Sequence, residues 1–294
     1  MNGDFVTSIL LPAMLAFIMF TLGLGIRIVD FKRVAERPVA IALGGLCHFV
    51  ILPLVCFVML GWFGLRADFA VGMMLVAACP TGTSSNLLTR IAGADVALAI
   101  TFTVIASIVT VFTLPLIVRV AMGHFLGSDT AIAFPAAYMM WQIVMLLALP
   151  VACGMLINAF RPAFASRIEP GASKLATLCF VLTVVAAAMG NWSVLTEHFV
   201  DLAPFVILLN LTMLLCGFLL AKWARLDIRQ VVTLAIESAM QNATLAIVIA
   251  SSVLHRETLA IPGLLYGILM YAGGITFAFG VRRWTIPNAI PAKV

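Results

Sequence analysis

Residues 79–86, Cys79-Pro80-Thr81-Gly82-Thr83-Ser84-Ser85-Asn86, sit inside an apolar run that extends from about 69 to 92. Proline removes a backbone donor and clashes with the preceding turn, and glycine adds freedom, so a helix entering this segment should break within it. A second run, about 228 to 254, contains Glu237-Ser238-Ala239-Met240-Gln241-Asn242, with three strongly polar side chains within six residues. A continuous lipid-facing helix does not tolerate such a cluster, which must face protein, ion or water.

The rest of the chain places both segments in a bilayer. Of 294 residues, 64% are hydrophobic and 10% charged, too little polar surface to cover a soluble globule. A spanning helix needs about 20 mostly apolar residues. Nine such runs are present, near 6–28, 37–62, 69–92, 95–122, 133–159, 173–192, 202–223, 228–254 and 260–283. The expected fold is therefore an all-α polytopic membrane protein with nine transmembrane helices in one domain, 1–294, since no linker or charge block divides it. The first run is too long, and too poor in early basic residues, for a cleavable signal peptide.

Lys and Arg mark the cytoplasmic side of short loops. With the N-terminus outside and the C-terminus cytoplasmic, fourteen of the 17 basic residues fall inside, among them Arg27, Lys32, Arg33, Arg37, Arg90 and Lys293. Arg66, Arg119 and Arg256 are left outside. The net charge of +5 is thus a topology signal that also suits contact with anionic lipid, with no need of nucleic acid. The six cysteines fall within apolar runs and read as small core residues, while the five tryptophans lie near helix ends, where headgroups suit them. His124, His198 and His255 fall in predicted external loops; His48 lies within the second run, beside Cys47.

The two interrupted runs occupy equivalent places, second to last in runs one to four and second to last in runs five to nine. If the second block is a five-helix unit, the first is the same unit lacking its opening helix, and loop sidedness makes the repeats inverted. Paired interruptions in inverted repeats point to a transporter's binding site. Half-helix N-termini offer amide donors to an anion, with Thr83 and Asn242 adding side-chain donors, and half-helix C-termini offer carbonyls to a cation. Glu237, deep in its run and without Lys or Arg at similar depth, requires a proton or a bound cation, and Ser85, Asn86, Thr103 and Gln241 supply hard oxygen ligands nearby. A channel needs a continuous polar pore, and an enzyme needs a nucleophile with its base; neither pattern is present.

These two motifs closely resemble those of the bile acid:sodium symporter family, from the first run to the last, in its bacterial nine-helix form. The resemblance implies two discontinuous crossing helices in a core (about 37–122 and 202–283), a panel (about 6–28 and 133–192), and import of a small organic anion, bile-acid-like, keto-acid-like or pantoate-like, coupled to one or two sodium ions. It implies a bacterial inner-membrane location, with the oligomeric state open and a monomer sufficient. Ser85, Asn86, Thr103 and Glu237 would form one sodium site. Glu237, the backbone at Ser238 and Met240, and the Gln241 side chain would form the other. Thr83, Asn242 and Tyr271 would face the substrate.

Three departures from the family pattern stand out. Ala99 takes the place of a serine ligand, Met270-Tyr271 replaces a His-Asn pair, and His48 replaces a glutamine at the second ion site. The last implies that His48, titrating near neutral pH, stands in for one sodium and makes transport less sodium-dependent or partly proton-linked.

Overall fold

The structure, a computed structural model, describes residues 6–26, 38–127, 129, 134–190 and 192–285. The topogenic residues Arg27, Lys32, Arg33, Arg37 and Lys293 lie outside the described residues. Within them every regular element is helical. We number these α1 (a π turn Val6–Leu10 continuous with Leu11–Leu24), α2 (Pro38–Phe63), α3 (Ala67–Ala78), α4 (Ser84–Ile91), α5 (Val96–Phe125), α6 (Ala136–Phe160), α7 (Pro162–Gly190), α8 (Trp192–Trp223), α9 (Ile228–Ala239), α10 (Ala243–Val253) and α11 (Ala260–Thr285). Among the described residues six helices are long and apolar enough to cross a membrane: α2, α5, α6, α7, α8, and α11 with its short 3-10 lead-in. α1, α3 and α10 are shorter apolar helices.

Two helices begin well before the hydropathy pattern suggests. α7 starts at Pro162 and α8 at Trp192, about ten residues ahead of the expected runs. The added turns carry Arg167 and Glu169 in one helix, and Glu197, His198 and Asp201 in the other. Charge ends an apolar run, but it does not end the backbone ladder. His198 therefore lies on a helix rather than in an external loop. Its Nε2 accepts from Arg66 Nη1 at 3.1 Å, and its ring packs 4.9 Å from that of Phe69. His124 is likewise helical, at the end of α5, with its ring against Phe57.

Three helices share a local device. Each of α1, α2 and α6 has a π turn immediately followed by Leu-Pro: Leu11-Pro12, Leu52-Pro53 and Leu149-Pro150. Proline cannot donate to the carbonyl four residues back and crowds it. A π turn widens the helix at that point, and the amides of Leu52 and Leu149 bond five residues back, to Cys47 and Val144.

α1 packs chiefly on α6 and α7, while α8 packs on α9 and α11, and α3 on α5 and α11. The α1–α6 crossing is very close. A Cβ at Gly23 would strike the Val151 carbonyl, and one at Gly154 the Phe20 carbonyl. The cysteines are all free thiols, but only Cys47, Cys56 and Cys79 are buried; Cys153 is exposed, and Cys179 and Cys216 are half-buried. The five tryptophans are all exposed, near helix ends.

Candidate functional site

The α3–α4 break follows directly from its sequence. A residue before proline is pushed out of the helical region, and Cys79, which precedes Pro80, is extended (φ −67°, ψ 151°) and ends α3. The α9–α10 break has neither proline nor glycine. Met240 ends α9 in an extended conformation (φ −101°, ψ 98°), and the Asn242 side chain caps α10 by accepting from the Leu245 amide at 3.0 Å.

What holds the second break open is the first. The two extended pieces cross as a minimal antiparallel ladder centred on Thr81 and Gln241. Gly82 N–H donates to the Met240 carbonyl at 3.0 Å, and Asn242 N–H donates to the Pro80 carbonyl at 2.8 Å. Gly82 is required by this close approach, because a Cβ there would sit 2.9 Å from the Gln241 carbonyl oxygen.

Glu237 is completely buried in the last turn of α9. The Thr103 hydroxyl of α5 lies 3.2 Å from its Oε2, accepts from Thr81 Oγ1 at 3.0 Å, and is also 3.0 Å from the Ala99 carbonyl. Glu237 Oε1 has no hydrogen-bond partner among the described residues. The same is true of Ser85 Oγ, Asn86 Oδ1 and Gln241 Oε1, all buried around the same crossing. Buried polar atoms without partners are rare in folded proteins. Four gathered at one crossing beside a buried carboxylate form a donor-poor, oxygen-rich set that fits a small hard cation. No cluster of three or more His, Cys, Asp or Glu side chains that could hold a metal ion occurs among the described residues.

Other expected cation ligands are already engaged. The Ser238 carbonyl accepts from Gln241 Nε2 at 3.0 Å, the Ser238 hydroxyl donates to the Leu234 carbonyl at 2.7 Å, and the Met240 carbonyl takes the Gly82 amide. His48 lies within the π turn of α2, buried against Phe49 and Phe102, with Nε2 2.8 Å from the Cys79 carbonyl. Since a carbonyl only accepts, Nε2 carries the proton.

A cavity of about 600 Å³ opens beside the crossing. Thr83, Asn242 and Tyr271 line it, as do Asn86 and Gln241. Thr83 stands at the N-cap position of α4 without a side-chain cap bond. With Asn242 Oδ1 used in capping, its Nδ2 faces Met19 at 4.0 Å. The Tyr271 ring meets Phe180 of α7 edge-on at 6.2 Å.

Two charged residues also line this cavity: Arg90 on α4, which the sequence marks only as a topology signal, and Glu169 on α7. Glu169 accepts from Ser173 Oγ at 2.8 Å. The signal was available for Arg90: Thr83, Asn86 and Arg90 are spaced three and four apart, one face of a helix.

Comparison with known proteins gives the same direction. A family model described as the sodium bile acid symporter family matches residues 12–198. An uncharacterized sodium-dependent transporter, YocS, of Bacillus subtilis is 28% identical over 86% of this chain and 77% of its own length. A chloroplastic protein of Oryza sativa, named as a probable sodium/metabolite cotransporter, is 28% identical over 93% of this chain, which spans only 64% of that relative. The ileal sodium/bile acid cotransporter of Oryctolagus cuniculus is 30% identical over 82% of this chain and 68% of its own length.

Proposed function

The chain belongs to the sodium bile acid symporter family, and on that premise we propose that it is a secondary transporter, not an enzyme, importing a small organic anion together with sodium. The observation that carries this is the set of buried, partnerless oxygens of Ser85, Asn86, Glu237 and Gln241 beside a cavity lined by Thr83, Asn242 and Tyr271. Relatives named as sodium-dependent and as sodium/metabolite or sodium/bile acid cotransporters support the same reading.

In this proposal the ion sits at Ser85, Asn86, Thr103, Glu237 and Gln241. The anion sits against Thr83, the Asn242 amide and the start of α4, with Tyr271 and Phe180 shaping the opposite wall. Because Asn86 and Gln241 border both sites, filling one orients the other. That shared border is the physical basis of coupling, since a ligand shifts an equilibrium only through its differential interaction with the two states.

The wider assignment follows the same reading: nine spans in one domain, inverted repeats, a core of α2–α5 and α8–α11, a panel of α1, α6 and α7, an external N-terminus, and a bacterial inner membrane. With Arg90 cytoplasmic, the cavity opens inward. The deciding experiment reconstitutes the protein in liposomes and measures uptake of candidate carboxylates under separate sodium and proton gradients. Accumulation driven by sodium and not by potassium is expected. Accumulation driven by protons alone would replace sodium with a proton as the coupling ion, and ligand binding without accumulation would make the protein a receptor.

A further inference from the structure

His48 and Asn210 make the same bond at the two breaks. His48, on α2, donates from Nε2 to the carbonyl of Cys79, 31 residues later and at the end of α3, at 2.8 Å. Asn210, on α8, donates from Nδ2 to the carbonyl of Ala239, 29 residues later and at the end of α9, at 2.9 Å. The ladder between the breaks has the matching symmetry, because the Gly82-to-Met240 and Asn242-to-Pro80 bonds exchange when the two segments are interchanged about the Thr81–Gln241 bridge. Cys79 and Ala239 stand in equivalent places, each two residues before the bridge residue. Each helix end that the break leaves with bare carbonyls is thus given a side-chain N–H from the helix before it.

We infer that His48 is a positioning residue, the counterpart of Asn210, whose Nε2–H fixes the Cys79 carbonyl and so the geometry of the α3–α4 break, and that it is not the carrier of a coupling proton. Asn210 cannot titrate, yet it makes the equivalent bond. The bond therefore needs only a neutral donor. The surroundings of the His48 ring agree: its walls are the rings of Phe49 and Phe102, and Nδ1 has no partner among the described residues. A second ring proton would thus have no acceptor there. The π turn of Cys47–Ile51 is what places His48 in register with Cys79. Displacing the Cys79 carbonyl would move Pro80 and Thr81, and through Thr81 the hydroxyl of Thr103 beside Glu237.

Two measurements test this, and only the second rests on the transporter reading. Nitrogen-15 spectra of histidine-labelled protein, near neutral pH, should show one of the four rings neutral and protonated on Nε2, its signal missing in His48→Gln. A doubly protonated ring, or a proton on Nδ1, would overturn the inference without any variant having to transport. The second compares the sodium concentration that half-saturates thermal stabilisation. His48→Leu, which keeps bulk but has no donor, should raise it about tenfold, and His48→Gln, which restores a neutral N–H, should return it to within about threefold of the parent. His48→Leu matching the parent, or His48→Gln as impaired as His48→Leu, would also overturn it. Absence of sodium stabilisation in the parent itself would instead strike the proposed function and leave the spectroscopic result standing.

Discussion

The Ala239 carbonyl accepts from two side chains, Asn210 Nδ2 at 2.9 Å and the Tyr266 hydroxyl at 2.8 Å, and this redundancy predicts a specific pattern of energies. Tyr266→Phe removes one net hydrogen bond, about 1 kcal/mol, while the carbonyl keeps the Asn210 amide. Asn210→Leu removes a similar bond but also deletes the buried Oδ1, which has no partner among the described residues. Relief of that desolvation, about 1–3 kcal/mol, offsets the loss, so the single variant should be near neutral. The double variant leaves the carbonyl without a side-chain donor and adds the full cost of a stranded buried acceptor, about 1–3 kcal/mol beyond the sum of the singles. Equilibrium unfolding in mixed micelles, followed by tryptophan fluorescence, measures all four corners of the cycle. Additivity within about 0.5 kcal/mol would refute the reasoning, as would a single Tyr266→Phe loss above about 3 kcal/mol.

Glu237→Gln should remove the sodium-specific part of thermal stabilisation, compared as melting temperatures in sodium and potassium chloride; at a hundredfold excess over Kd that part corresponds to about 2.7 kcal/mol in the parent. Arg90→Gln should raise KM for the anion about tenfold, the scale of one charge-assisted hydrogen bond, and a change in kcat with KM untouched in liposome uptake would place Arg90 outside anion binding. Gly154→Val should destabilise the protein by about 1–3 kcal/mol through overpacking, because the Phe20 carbonyl occupies the space its side chain needs; an unchanged unfolding midpoint would show that the α1–α6 crossing is looser than described.

Both interruptions were legible in the sequence, but for different reasons. Pro80 acts locally, setting the backbone of Cys79 through a contact between neighbours. Met240, Gln241 and Asn242 contain no breaker. Their polarity marked the place, yet their extended geometry depends on a ladder to residues far away in the chain. The same distance hid the environment of His48. Its type and its place beside Cys47 were plain, whereas its acceptor lies on another helix and comes into reach through a π turn that apolar periodicity does not show. Arg90 was obscured because the positive charge that marks a loop's side of the membrane is chemically identical to the charge that lines a cavity. Helix ends were misplaced at α7 and α8 because hydropathy reports the lipid boundary, and hydrogen-bonded backbone continues past it.

The Leu-Pro π turn of α2 has a consequence for insertions and deletions. A π turn accommodates one residue more than an α turn, so the two flanks of α2 keep their faces despite the extra residue. Pro53→Ala alone would let the turn close and rotate everything before it, His48 included, by about 100°, one residue's share of a helical turn. Deleting Val50, an exposed residue, would leave Pro53 crowding a regular helix. Made together, the two changes should cancel, yielding a straight α2 that is one residue shorter and still presents His48 to Cys79.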